Sequence, residues 1–412
     1  MMDAISGRGY EEPTPVQQKV IPLGLAGHDL LGIAPTGTGK TAAYLIPVIM
    51  KLGYAQGESP RALILAPTRE LAIQIGHEAG LLSGNFGLRM LTVYGGTGMK
   101  PQLDKLAGGM DMLVATPGRF LDIYRSGHLI TKMISTLVLD EADRMMDMGF
   151  IGQIRSILEI IPAKKRQNLL FSATFPARVE ELASEFLEFP VKVEIAPQST
   201  PAPTVEQVAY RVPNIKTKIH LMEFLLRDRR DAGKVMIFTK TKKSADQVFK
   251  FIKRKIDDSA RVIHANKDQN ARLNAIRAFS EGVASTLVST DITARGIDIS
   301  EVNLVINFDI PVNPEDYVHR IGRTGRARHK GLAVTFLNPP DERRMIEVEK
   351  LTGQKVKILP LPAGIEIVPT ESWEKDIQAR EVDRIRRKAD PDFKGAFHEK
   401  MTGNRRNKTR RK

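Results

Sequence analysis

The chain has 412 residues, with 42% hydrophobic and 27% charged side chains, a globular composition too long for one ordinary core. It contains no cysteine, which excludes a disulfide framework and a thiolate metal site and fits a reducing compartment. Its net charge of +14 points to an anionic polymer as partner.

The start, Met1-Met2-Asp3-Ala4-Ile5-Ser6, lacks the basic and apolar regions of a secretory signal. No apolar run approaches the ~18 residues of a membrane span, so no membrane partner is expected. In chain order, short apolar runs at Leu30–Ile33, Ala62–Ala66, Met112–Ala115, Thr136–Leu139 and Asn168–Phe171 read as strands. Helical patterns such as Glu70–Gly80 and Ile151–Ile160 lie between them. Strands separated by helices predict a parallel, doubly wound sheet. The proline-rich stretch Ala196–Thr204 reads as an extended linker. Alternation then resumes with Val235–Phe238, Arg261–His264, Thr286–Ser289, Asn303–Asn307 and Leu332–Phe336, predicting a second α/β domain. The expected boundaries are 1–196, a linker at 197–206, 207–362 and a basic C-terminal extension at 363–412. Glu371–Lys388 reads as a charged helix. From Ala389 onward Gly, Asn, Lys and Arg dominate, and a disordered tail is expected. Residues 375–412 carry 14 Lys/Arg against 6 Asp/Glu, so more than half of the net charge sits there. Arg405, Arg406, Lys408, Arg410, Arg411 and Lys412 are expected to grip the phosphates of a polyanion without reading sequence.

Two local patterns carry chemistry. Ala34-Pro35-Thr36-Gly37-Thr38-Gly39-Lys40-Thr41 follows a strand and opens an apolar helix, the context of a phosphate-binding loop. Its glycines let backbone N–H groups turn toward phosphate oxygens, and the following helix N-terminus favours negative charge. Lys40 is expected to reach the β- and γ-phosphates, and Thr41 to place its hydroxyl on Mg²⁺. Ala34 stands where the general pattern has glycine. Asp140 ends a buried strand, the place for a magnesium ligand acting partly through water. Glu141 follows it, placed to orient or deprotonate an attacking water. Together these residues predict a site for a nucleoside triphosphate and its Mg²⁺.

The motifs continue along the chain: Pro13-Thr14-Pro15-Val16-Gln17, Pro67-Thr68-Arg69-Glu70-Leu71-Ala72, Gly95-Gly96, Thr116-Pro117-Gly118-Arg119, Asp140-Glu141-Ala142-Asp143 and Ser172-Ala173-Thr174. The second half adds Gln269 and Arg272, Ser289-Thr290-Asp291, Ala294-Arg295-Gly296-Ile297-Asp298 and His319-Arg320-Ile321-Gly322-Arg323-Thr324-Gly325-Arg326. From about Gly9 to Phe336 the chain resembles the DEAD-box RNA helicases of superfamily 2. The segment Asp143–Phe150 looks like their bacterial RhlE-type subgroup.

The resemblance implies two RecA-like domains, each a mainly parallel sheet flanked by helices, with ATP and RNA bound across their cleft. It implies that Gln17 reads the adenine edge, supported by Thr14, and that Thr36, Gly37, Thr38, Gly39, Lys40 and Thr41 hold the phosphates. Gly296 and Asp298 would lie near the nucleotide and its ribose. Arg323 and Arg326 would be arginine fingers, which suits a transition state whose charge is spread over phosphoryl oxygens. Asp143, Ser172, Thr174 and His319 would couple the ATP site to RNA and to closure. RNA contacts would come from Pro67, Thr68, Arg69, Gly95, Gly96, Thr116, Pro117, Gly118 and Arg119, and in the second domain from Gln269, Arg272, Thr290 and Arg295. Many are small residues ahead of helices, suited to sequence-independent contact with the RNA backbone. The family's aromatic residue upstream of Gln17 has no counterpart at the expected place, since Tyr10 is placed differently. Either the start is truncated or adenine binding is weaker, and a raised Michaelis constant for ATP is expected.

The function implied is local unwinding of RNA duplexes, or remodelling of RNA–protein complexes, by ATP-coupled closure in a cytoplasmic monomer. Protein partners in ribosome assembly or RNA decay are compatible with it. A DNA translocase of the same superfamily and an RNA-annealing chaperone are the alternatives.

Overall fold

The computed structural model describes residues 1–7, 10–35, 37–84, 86–195, 205–227, 233–291, 299, 302–325, 331–389 and 393. These fall into two compact units, one on either side of the proline-rich stretch. Each unit is built on one seven-stranded sheet in which every recorded pairing is parallel.

The first sheet comprises β1 (Leu30–Ile33), β2 (Ala62–Leu65), β3 (Met90–Val93), β4 (Met112–Ala115), β5 (Thr136–Leu139), β6 (Gln167–Ser172) and β7 (Val191–Glu194), in the order β3-β4-β2-β5-β6-β1-β7. β1, β2, β4, β5 and β6 are buried along their whole length. That is why they read as continuous apolar runs: helices cover both faces of a parallel sheet. One face packs Leu63, Leu113, Leu137 and Leu170 against helices that include Ala142–Asp147 and Ala177–Phe186. The other packs Ile64, Val114, Val138 and Phe171 against Lys40–Leu52 and Arg69–Leu82.

The second sheet comprises β8 (Val205–Arg211), β9 (Val235–Thr239), β10 (Arg261–Ile263), β11 (Thr286–Thr290), β12 (Leu304–Asn307), β13 (Gly331–Leu337) and β14 (Lys357–Leu359), in the order β10-β11-β9-β12-β13-β8-β14. β3, β7, β8 and β14 are additions to the strands expected from the sequence. β8 begins at Val205, so the last two residues of the expected linker belong to the sheet.

The expected charged helix is present as Ser372–Ala389, and it is fastened to the second unit. Glu374 accepts a hydrogen bond from the Ile215 N–H (2.8 Å), which starts the helix Ile215–Arg227. Lys216 pairs with Glu371 at 2.7 Å, and Gln378 donates to the Pro213 carbonyl at 2.9 Å. Glu381 takes both Lys240 (3.0 Å) and Arg344. The extension beyond residue 362 is therefore partly an integral piece of the second unit. Residues 390–392 and 394–412, with most of the tail cations, lie outside the described residues.

One close approach in the first sheet positions the site described below. Gly32 in β1 pairs beside Phe171 in β6, and a Cβ at Gly32 would meet the Phe171 ring at 2.4 Å. The Phe171 ring lies 5.2 Å from that of Tyr44. Gly32→Ala is expected to cost about 1–3 kcal/mol through overpacking. Urea unfolding of the two proteins measures the difference, and equal midpoints would show that Phe171 can move freely.

Candidate active site

The carboxyl ends of a parallel sheet are where α/β proteins gather ligand-binding residues. In the first unit that edge divides into two halves. β5, β6 and β1 are neighbours and deliver Asp140, Ser172 and the phosphate loop; β3, β4 and β2 deliver Gly95, Thr116 and Pro67.

In the phosphate loop, Gly37 and Gly39 adopt φ of +80° and +89°. Gly39 also has no room for a side chain, because a Cβ would lie 2.6 Å from the Gln17 Nε2. Gln17 is buried. Its Oε1 accepts from the Thr14 N–H (2.9 Å) and its Nε2 donates to the Gly39 carbonyl (3.3 Å). The amide thus ties residues 14–17 to the phosphate loop while keeping one N–H and one lone pair. Thr38 donates to the Pro35 carbonyl (2.8 Å), and the Lys40 ammonium donates to the Ala34 carbonyl (2.6 Å). Lys40 is buried, whereas Thr41 is half-buried at the start of the helix Lys40–Leu52. Thr36 lies outside the described residues.

Asp140 is 3% exposed. Its Oδ2 accepts from the Tyr44 hydroxyl (2.8 Å) and its Oδ1 from the Glu141 N–H (2.9 Å). Burial pushes its carboxyl up to about 6, against the opposing charge of Lys40 and with Glu141 adding to the rise. Burial likewise raises the Tyr44 phenol well above its usual value, and Asp140 adds to this. Glu141 takes a left-handed backbone, φ +53° and ψ +53°, rare for a residue with a side chain. Its carboxylate pairs with Arg144 at 2.7 Å. Asp143 behaves differently. Its N–H donates to the Ser172 hydroxyl (3.1 Å), and its Oδ2 accepts from the Thr174 N–H (2.9 Å) and hydroxyl (2.8 Å). The structure therefore brings Asp143, Ser172 and Thr174 together.

The donor set suits magnesium. Among the described residues no cluster of three or more His, Cys, Asp or Glu could cage a metal. One buried carboxylate, with a threonine hydroxyl at the end of the phosphate loop, matches an ion that keeps waters and takes its remaining ligands from substrate phosphates.

The other half of the edge is cationic and built on backbone turns. Thr68 caps the helix Arg69–Leu82 by accepting from the Leu71 N–H (3.3 Å). Gly96, at φ +82°, lies so close to Arg69 that a Cβ there would overlap the guanidinium. Gln102 holds this loop through the Tyr94 N–H and carbonyl and the Thr97 hydroxyl. Thr116, Pro117 and Gly118 open the helix Pro117–Arg125. Arg119 is buried; its Nη2 donates to the Thr97 carbonyl (3.0 Å) and its Nε lies 3.8 Å from the Asp122 carboxylate, while Nη1 has no hydrogen-bond partner. A spare donor on a buried cation suits an anionic oxygen.

In the second unit Gln269 begins the helix Gln269–Ser280, which also carries Arg272, and Thr290 ends β11. His319 and Arg323 lie at the end of the helix Pro314–Ile321 and just beyond it; His319 is 4.0 Å from Asp316. Arg295, Gly296, Asp298 and Arg326 lie outside the described residues. The residues that sequence reasoning passed over are Tyr44, Arg144, Gln102 and Arg320. The Arg320 guanidinium is 2% exposed and makes four hydrogen bonds. It takes both oxygens of Asp291 (2.5 and 2.8 Å), the Asn307 amide oxygen (3.0 Å) and the Asp309 carbonyl (2.6 Å), over the Phe238 ring. It welds the ends of β11, β12 and β9 together. Its place in the motif gives no sign that it is structural.

The Asp140 shift has a sign that can be tested. A carboxyl raised in the folded state binds its proton more tightly there than in the unfolded chain, so its charge destabilises the fold above about pH 6 and not below about pH 4. Without metal or nucleotide, Asp140→Asn is expected to melt higher than the parent at pH 8, with the gap closing toward pH 4.5. The gain is at most ~3 kcal/mol, reduced by ~1 kcal/mol for the lost acceptor. A variant less stable than the parent at pH 8 would contradict the burial argument.

Comparison with known proteins agrees with this geometry. The family described as DEAD/DEAH box helicase matches residues 14–182, and Helicase conserved C-terminal domain matches residues 216–328. The ATP-dependent RNA helicase CshA of Listeria monocytogenes is 42% identical over 365 residues, covering 88% of this chain and 69% of its own. DEAD-box ATP-dependent RNA helicase 30 of Arabidopsis thaliana is 40% identical over 366 residues; the match covers 87% of this chain, and the chain spans only 61% of that relative. Among solved structures, S. cerevisiae Dbp5 bound to RNA and ADP BeF3 matches with a TM-score of 0.78 at 26% identity, over 92% of this chain and 96% of that one. A DEAD box protein from Methanococcus jannaschii matches with a TM-score of 0.51 at 35% identity, over 87% and 96%. Two matched domains and 42% identity to CshA over 88% of the chain leave one conclusion: this chain belongs to the DEAD-box ATP-dependent RNA helicases.

Proposed function

We propose that the chain separates short RNA duplexes locally by closing its two RecA-like domains on ATP and RNA, and reopens them after hydrolysis. The observation that carries this reading is the division of one sheet edge. Its β5-β6-β1 half is a nucleotide site and its β3-β4-β2 half is a cationic set of helix starts; the halves meet where β5 pairs with β2, and Asp143, bonded to Ser172 and Thr174, follows the end of β5. A shift of β5 bears on both sides, which is what coupled binding requires.

In this reading Lys40 and the turned N–H groups of Gly37 to Thr41 hold the phosphates, and Gln17 meets the adenine with its spare donor and acceptor. Thr41 and Asp140 hold Mg²⁺, which when bound would neutralise charge on the phosphoryl oxygens. Glu141 leaves Arg144 to accept the proton of the attacking water. Arg323 and Arg326 supply planar cations to the phosphoryl group on closure. Pro67, Thr68, Arg69, Gly95, Gly96, Thr116, Pro117, Gly118 and Arg119 hold the RNA backbone, with Gln269, Arg272, Thr290 and Arg295 from the second unit. Small residues and helix starts of this kind suit contact with the backbone rather than with base edges, so recognition is tolerant of sequence. The cytoplasm is the compartment this activity implies.

Glu141→Gln is expected to lower RNA-stimulated ATP hydrolysis about 10²–10⁴-fold while ATP affinity stays within a few-fold. Turnover near the parent's rate would remove Glu141 from the chemistry. Stimulation by RNA but not by DNA of the same sequence is the companion result, and equal stimulation would favour a DNA translocase.

Arg119→Ala is expected to weaken RNA binding equally across sequences and to flatten the salt dependence by about one unit of slope. Titrations between 50 and 200 mM salt measure it, on the order of the range over which phosphate contacts are lost. An unchanged slope would take Arg119 off the phosphate. The tail is tested by ending the chain after Ala389, since ending it after Pro362 also removes a helix that holds the second unit.

A further inference from the structure

We infer that Tyr44 is a positioning residue for the metal-bound nucleotide: its buried hydroxyl orients the Asp140 carboxylate toward the ion that Thr41 and Asp140 share. The inference rests on the reading of Asp140 as a metal ligand. Tyr44 sits one turn after Thr41 on the helix Lys40–Leu52, and the side chains three apart lie on the same face. Its hydroxyl donates to Asp140 Oδ2 at 2.8 Å and is buried with it. One phenol thus links the helix that carries Thr41 to the strand that carries Asp140.

The ring has little freedom to stand elsewhere. Tyr44 is 0% exposed, and Phe171 packs on it at a centroid distance of 5.2 Å. Phe171 in turn fills the space that Gly32 leaves beside it in the sheet. A chain of contacts from Gly32 through Phe171 to Tyr44 ends on the carboxylate oxygen. The second oxygen is fixed by the Glu141 N–H, so the carboxylate is held at both ends in the absence of any ion. Outer partners of this kind set the direction of a ligand's lone pairs, and their loss commonly costs 10–100-fold in metal affinity. A phenylalanine at this position would pack in the same space but leave Oδ2 without its donor.

The test compares the parent, Tyr44→Phe and Asp140→Asn by fluorescence titration with mant-ATP, first in EDTA and then at rising Mg²⁺. For Tyr44→Phe the expected result is unchanged mant-ATP affinity in EDTA, a melting temperature within a few degrees of the parent and a Mg²⁺ half-saturation raised about 10-fold or more. RNA-stimulated hydrolysis should then recover in part at high Mg²⁺, a KM-type defect in the ion. A Mg²⁺ midpoint within two-fold of the parent overturns the inference. Equal losses with and without Mg²⁺, or a collapsed melting transition, also overturn it, because they mark Tyr44 as packing alone. Asp140→Asn separates the two levels. If it removes the Mg²⁺ dependence while Tyr44→Phe does not change it, only the role of Tyr44 falls. If it leaves the dependence intact, the metal-ligand reading falls and this inference with it.

Discussion

The burial of one carboxylate organises the first unit. Asp140 sits at the end of an apolar strand where water would ordinarily solvate it, and burial makes its charge unfavourable. Its donors and Lys40 limit that cost without abolishing it, while the charge of Glu141 adds to it. Tyr44 and the Glu141 N–H donate, and Lys40 lies close enough to oppose the rise. A carboxylate surrounded by fixed cations would need no ion, and one with no donors would be too costly to keep ionised. The observed arrangement is intermediate, which is how binding of a metal–nucleotide complex can be made to matter energetically.

Glu141 shows the same economy in the backbone. A left-handed conformation costs a residue with a side chain roughly 1–2 kcal/mol. Here it turns the carboxylate away from the run of the strand and lets the next residues start the helix Ala142–Asp147, whose first turn accepts Arg144 and Met145 N–H groups at the Glu141 carbonyl. Four consecutive residues thereby face different tasks. Asp140 looks to the phosphate loop, Glu141 to Arg144, Ala142 to the core, and Asp143 to β6.

Much of this was legible beforehand, for a physical reason. Central parallel strands are covered on both faces, so they appear as unbroken apolar runs, and a phosphate loop needs glycine where φ is positive. Edge strands are not covered in that way. β3, β7 and β14 lie at the margins of their sheets and carry Thr92, Lys192, Glu194 and Lys357 among their residues, so they left no run to read. β8, one place in from an edge, is interrupted by Glu206 and Gln207. The pairing of Asp143 with Ser172 and Thr174 was foreseeable only through family resemblance, since 29 and 31 residues separate the partners. Tyr44 was invisible because a tyrosine in an apolar helix reads as core, and its ring is core; only the hydroxyl departs from that role.

Arg320 makes the complementary point in the second unit. An arginine inside a motif rich in functional arginines invites a functional reading, yet its donors are spent on Asp291, Asn307 and the Asp309 carbonyl. Lys218 closes the same corner from below, with its ammonium on Asp309 at 2.8 Å and on the Phe308 carbonyl at 2.7 Å. Breaking a buried ion network by removing one member strands the rest, at a cost of about 3–5 kcal/mol. A substitution at Arg320 would therefore disturb the strand ends that present Thr290 and Thr239 before it touched any step of hydrolysis. The position of a cation in a motif does not decide its duty. The number of its donors already satisfied does, and by that measure Arg320 builds the wall on which its neighbours stand.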